Sequence, residues 1–167
     1  MRIVPPLGDS DGQIVYSQTD SRWSKVVFGS YCNSPSTIGV SGCGPSAMAM
    51  VVTAMTGKVV TPAEVGTYAN SKGMYACGKG SYHSLAVTVA PHWNLKASYI
   101  AATQTAIEKT LKAGGMVWVC GGGSLPFTSG GHCIALWFDH IIFEPVILAE
   151  AGSLKAGEGD EIGILTR

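Results

Sequence analysis

From Pro45 to Gly57 the chain runs almost without a polar interruption, carrying Ala47, Met48, Met50, Val51, Val52, Ala54 and Met55 around nearly a full helical circumference. A helix apolar on all sides cannot stand in water, so this segment predicts a central buried helix with the remaining elements built around it. Pro45 suits the first helical position, where a missing N–H costs nothing. Gly57 closes the helix by supplying the left-handed conformation that a C-terminal cap needs.

A chain of 167 residues suits one domain with a single sizeable core. Its 46% apolar and 13% charged residues exclude a disordered or tail-like protein. Lys+Arg and Asp+Glu balance at 11 each, with no basic cluster, so nothing marks a surface for nucleic acid or an anionic membrane. The longest apolar runs, 133–138 and 141–149, are broken by Asp139, His140, Glu144 and Pro145, so no membrane span is expected. The first residues lack the long apolar core of a secretory signal. A cytoplasmic protein, or part of a larger exported or virion-associated one, are both compatible with that.

Cysteines stand at 32, 43, 77, 120 and 133. An odd count without CxxC spacing argues against a disulfide framework and a structural zinc site, leaving thiols whose reactivity depends on their surroundings.

Around the central helix the pattern is helical first and strand-like later. Residues 1–12 read as an extended lead-in, and Tyr16 to Trp23 as a loop packed through Trp23. Thr61-Pro62-Ala63-Glu64 is a capping box opening a helix to about Asn70. Ser81–Ala90 predicts a helix stopped by Pro91, and Thr103–Lys112 an amphipathic helix ending at Gly114-Gly115. Met116–Cys120, Cys133–Phe138 and Ile141–Leu148 predict buried strands. The sum is an α+β domain with a helical half packed on an antiparallel sheet.

Gly42-Cys43-Gly44-Pro45 puts Cys43 at the start of the buried helix. The N–H groups and the positive end of the dipole there favour an anion, which would acidify the thiol to its nucleophilic thiolate form. The flanking glycines give a substrate carbonyl close access to the sulfur. The competing reading is a small buried hydrophobe at a tight turn. A thiolate in acyl transfer needs a proton carrier, and His132, at the start of a strand after Ser129-Gly130-Gly131, is the best placed of four histidines. His83, His92 and His140 read as surface or packing residues. A metal site of Cys120, His132 and Cys133 is disfavoured, because neighbouring residues on a strand face opposite ways.

These stretches, with Tyr16-Ser17-Gln18-Thr19-Asp20 upstream and Phe127-Thr128-Ser129-Gly130-Gly131-His132 downstream, together resemble the C39-like group of papain-like cysteine peptidases. The resemblance spans about residues 13–153, with 154–167 a poorly matching tail. It implies a papain-like fold, Cys43 as nucleophile, His132 as base and Gln18 as an oxyanion donor. An acidic or amide residue that orients the histidine is implied too; Glu150 aligns best, with Asp139 the alternative. The implied activity is cleavage of peptide or amide bonds in leader peptides or peptidoglycan cross-peptides, by a monomer without cofactor. Acyl transfer to an amine through the same dyad is a related reading. A catalytically inactive peptide or cell-wall binding module is the alternative of another class.

Overall fold

The computed structural model describes residues 14–121, 131–137 and 162–166. It is an α+β structure in two compact units, divided between Ser81 and Tyr82.

The first unit is built on the expected helix. After the short hairpin β1 (Val27–Phe28) and β2 (Ser36–Thr37), the one-turn helix α1 (Ile38–Ser41) leads through Gly42 into α2 (Cys43–Thr56). Helix α2 is buried along most of its length, Met48, Ala49, Val51 and Val52 completely. Its end is the left-handed Gly57, whose N–H donates to the Thr53 carbonyl. Pro45 sits in the third helical position rather than the first, still ahead of the point where an N–H would have an acceptor in the helix.

Of the two buried polar side chains of α2, Ser46 and Thr53, the latter, near the helix end, is fully satisfied. The Thr53 hydroxyl donates to the Val60 carbonyl and accepts the Val60 N–H, both at 3.0 Å. Its hydrogen is thereby used, so the Tyr16 hydroxyl 3.4 Å away is the donor in their contact. Burial pushes the Tyr16 phenol above its ordinary pKa, with this hydrogen bond acting the other way.

Helix α3 (Pro62–Ser71) opens with the capping box read from the sequence: Thr61 accepts the Glu64 N–H, and the Glu64 carboxylate accepts the Thr61 N–H. It lies close to α1, because a Cβ on Gly66 would overlap the Ile38 side chain. At its far end the Asn70 side-chain amide oxygen, Oδ1, accepts the N–H groups of Gly29 and Ser30. The hairpin β3 (Tyr75–Ala76) and β4 (Gly80–Ser81) completes the unit. Tyr31 clamps onto it, its hydroxyl donating to the Tyr75 carbonyl and accepting the Tyr75 N–H. The disulfide Cys32–Cys77 closes the same junction.

The second unit is a four-stranded antiparallel sheet with helices. Helix α4 (Leu85–Val89) passes into a 3₁₀ turn (Ala90–Trp93), followed by β5 (Lys96–Ile100) and α5 (Gln104–Lys112). Strands β6 (Met116–Gly121), β7 (His132–Leu136) and β8 (Ile162–Thr166) follow, in the spatial order β5-β8-β6-β7. Thr103 caps α5 by accepting the Ala106 N–H, and Ile107 and Leu111 pack on Val117, Val119 and Leu136. Strand β8 thus brings the stretch read as a C-terminal tail into the middle of the sheet, between β5 and β6.

Two local expectations change. The helix expected over Ser81–Ala90 begins only at Leu85, because Gly78 and Gly80, both with positive φ, turn the chain into the β3–β4 hairpin. Pro91 does not stop it; the helix tightens into the 3₁₀ turn, whose early positions need no N–H. The strand expected over Ile141–Leu148 lies outside the described residues. Among the described residues no helix is long and apolar enough to cross a membrane.

Candidate functional site

Cys43 is the first residue of α2, one position inside the cap, Gly42. Helix α1 ends directly against this point: the Gly42 N–H donates to the Ile38 carbonyl at 2.8 Å, and a Cβ on Gly42 would run into the Ile38 backbone. Only glycine therefore lets α1 turn into α2 here. The first bond within α2 runs from the Ser46 N–H to the Gly42 carbonyl. The Cys43 and Gly44 N–H groups precede it, at the positive end of a helix 14 residues long. Cys43 itself is half-buried.

Gln18 reaches the same lead-in. Its side-chain N–H donates to the Gly39 carbonyl at 3.1 Å, inside α1. Gly39 is fixed in turn by its N–H to the Ser24 carbonyl, 2.8 Å, in a contact so close that a Cβ would come within 2.9 Å of that oxygen. The loop carrying Gln18 is pinned by Trp23, whose indole N–H donates to the Ser17 carbonyl at 2.7 Å and whose ring packs edge-on against Tyr16. Gln18 is thus a half-buried side chain with one amide hydrogen committed to orientation. Its second has no acceptor among the described residues.

His132 lies in the second unit. It opens β7 opposite Gly121, half-buried, and burial holds its imidazole below the ordinary histidine pKa, favouring the neutral form that can accept a proton. Glu150 and Asp139 both lie outside the described residues. The first unit therefore brings Gln18 and Cys43 onto one structural lead-in, through α1, while His132 stands on its own strand in the other unit.

The cysteine reading needs correction. Four of the five cysteines form two disulfides, Cys32–Cys77 and Cys120–Cys133, so an odd count did not argue against a framework: it left one thiol over. That one is Cys43. The second bond also removes the metal site weighed for Cys120, His132 and Cys133, since the two sulfurs bind each other. Among the described residues no cluster of three metal-ligating side chains occurs. A sequence signal for this bond existed. Cys120 and Cys133 flank a Gly-rich connection between two strand patterns, near the ends where paired strands would set them face to face. The Cys32–Cys77 pairing had no comparable local mark.

Of the remaining histidines, His92 meets Trp93 edge-on with ring centroids 4.7 Å apart, and His140 lies outside the described residues. Comparison with protein-family models, curated proteins and solved structures finds no match.

Proposed function

We propose that this chain is a cysteine-dependent hydrolase of peptide or amide bonds, with the papain-like arrangement that its motifs resemble. The observation that carries the reading is that Cys43 alone stands outside the disulfides, half-exposed, at the first position of a long buried helix.

The chemistry assigns each group one task. Neutral His132 takes the Cys43 proton, and the thiolate attacks the substrate carbonyl carbon. Gln18 and the Cys43 N–H donate to the oxygen as it becomes an oxyanion. The Gln18 tie to Gly39 supports this, since a donor fixed beforehand needs no reorganisation during the reaction. Collapse of the intermediate breaks the C–N bond, His132 returns its proton to the leaving amine, and a thioester remains. His132 then deprotonates water, which releases the acid and regenerates the thiol. Burial of His132 disfavours the imidazolium and so keeps it in the neutral form that a base needs. Glu150 is the proposed orienting group. Peptides with small residues and peptidoglycan cross-peptides are the substrate classes that the resemblance suggests.

The test is mass spectrometry of the protein incubated with a panel of leader-type peptides and peptidoglycan fragments. Expected are cleaved products and a thioester adduct trapped on Cys43, both lost in Cys43→Ala. Products that persist in Cys43→Ala would refute the assignment.

A further inference from the structure

The strand that presents His132 has an uncommon difficulty. Among the described residues β7 is hydrogen-bonded to β6 alone, over the five pairs from Val117↔Leu136 to Gly121↔His132. A tight two-residue turn would dictate which residues pair, but the connection here is the segment 122–131, with glycines at both ends. The apolar pattern is a weak guide, because β6 is buried at all six positions, β7 separates its faces only by half-buried His132 and Ile134, and a two-residue shift leaves every β7 side chain on its own face. A slip by one residue would turn His132 to the opposite face. A slip by two would carry it about 7 Å along the strand.

One covalent bond forbids both. Cys120 and Cys133 are directly opposed in the ladder, with Cα atoms 4.1 Å apart, on the rung next to Gly121↔His132. We propose that the Cys120–Cys133 disulfide is a register lock that makes these two cysteines positioning residues for His132, so that the domain works in its oxidised form. The role given to His132 rests on the hydrolase reading; the lock itself does not. A dithiol would undo it by exchange. One thiolate attacks a cysteine sulfur to form a mixed disulfide, and the second thiol then closes the reductant's own disulfide. Two electrons pass from the dithiol, and Cys120 and Cys133 are released as thiols. The domain would accordingly mature where disulfides form and persist. Reductants routinely added to thiol peptidase assays would inactivate it while Cys43 stays intact.

The experiment uses the Cys32→Ser/Cys77→Ser variant, in which Cys120–Cys133 is the sole disulfide, before and after graded dithiothreitol. Three readouts are taken: alkylated thiols counted by mass spectrometry, the pH titration of the His132 Cε1–H resonance, and hydrolysis. Without reductant, the expected result is alkylation at Cys43 alone and a His132 titration midpoint below the ordinary value. Reduction should move that midpoint toward the ordinary value or split the resonance, with hydrolysis falling about 10²-fold, as misplacement of a reacting group does. If the background variant fails to fold, Cys120→Val/Cys133→Val in the otherwise native chain reads the same titration. Alkylation of Cys120 and Cys133 without reductant would overturn the proposal. So would an unchanged His132 titration in reduced, folded protein. Absent hydrolysis with a His132 response to reduction would sink the hydrolase reading and leave the lock standing.

Discussion

Replacing Cys32 and Cys77 together by serine removes the cross-link between the loop after β1 and the β3–β4 hairpin. The two residues are 45 apart in sequence, and the chain-entropy relation for a loop of that size gives about 4 kcal/mol of stabilisation lost. The folded junction should survive, because Tyr31 still exchanges two hydrogen bonds with Tyr75 and Asn70 still accepts from Gly29 and Ser30. The loss therefore falls on the unfolded chain, which regains conformations that the bond denies it. Urea unfolding of the non-reduced proteins, followed by tryptophan fluorescence, measures this. With a slope of about 2 kcal/mol/M, the midpoint should drop by about 2 M, and the slope itself should rise as the unfolded chain expands. A loss under about 1 kcal/mol with an unchanged slope would refute the reasoning.

Further consequences follow from single contacts. Gly66→Ala drives a methyl into Ile38, which is fully buried, and should cost about 1–3 kcal/mol in thermal unfolding. Thr53→Val leaves the Val60 N–H and carbonyl and the Tyr16 hydroxyl without their shared partner, for a loss of about 1–3 kcal/mol by urea titration. Gln18→Ala should lower kcat about 10²–10³-fold on a cleaved peptide while leaving Cys43 alkylation unchanged. For His132 the sign is fixed by burial. The unfolded residue takes up its proton near pH 6.5 and the folded one only at lower pH. Its contribution to stability is complete above 6.5 and is lost as pH falls toward the folded value. His132→Gln should flatten that acid limb in denaturation curves measured from pH 7.5 to 5.

What could be read from the chain beforehand was what local chemistry encodes. Helices α2 and α5 and the capping box of α3 are set by residues within a turn or two of each end, and the structure follows them closely. Strand β5 was not read, because Lys96–Ile100 is largely exposed and owes its state to pairing with residues 162–166, far along the chain. The same distance hid the place of β8 in the sheet. The Cys32–Cys77 pairing is likewise a property of the folded topology with no local mark in the sequence, whereas the Gly-rich connection between two strand patterns does mark Cys120 and Cys133. In the candidate site, Cys43 at the start of α2 was legible from Gly42, Pro45 and the apolar run. The tie from Gln18 to Gly39 was not, since it depends on α1, a single turn that no periodicity announces.

The central claim is that Cys43 is a thiol activated by His132. Its most direct test is the rate of iodoacetamide labelling at Cys43 against pH, resolved by mass spectrometry, in the oxidised wild type and in His132→Ala. Rapid labelling near pH 6, well below the ordinary thiol value of about 8.5, and its loss in His132→Ala are the predicted result. Labelling that follows an ordinary thiol curve in both proteins would contradict the account.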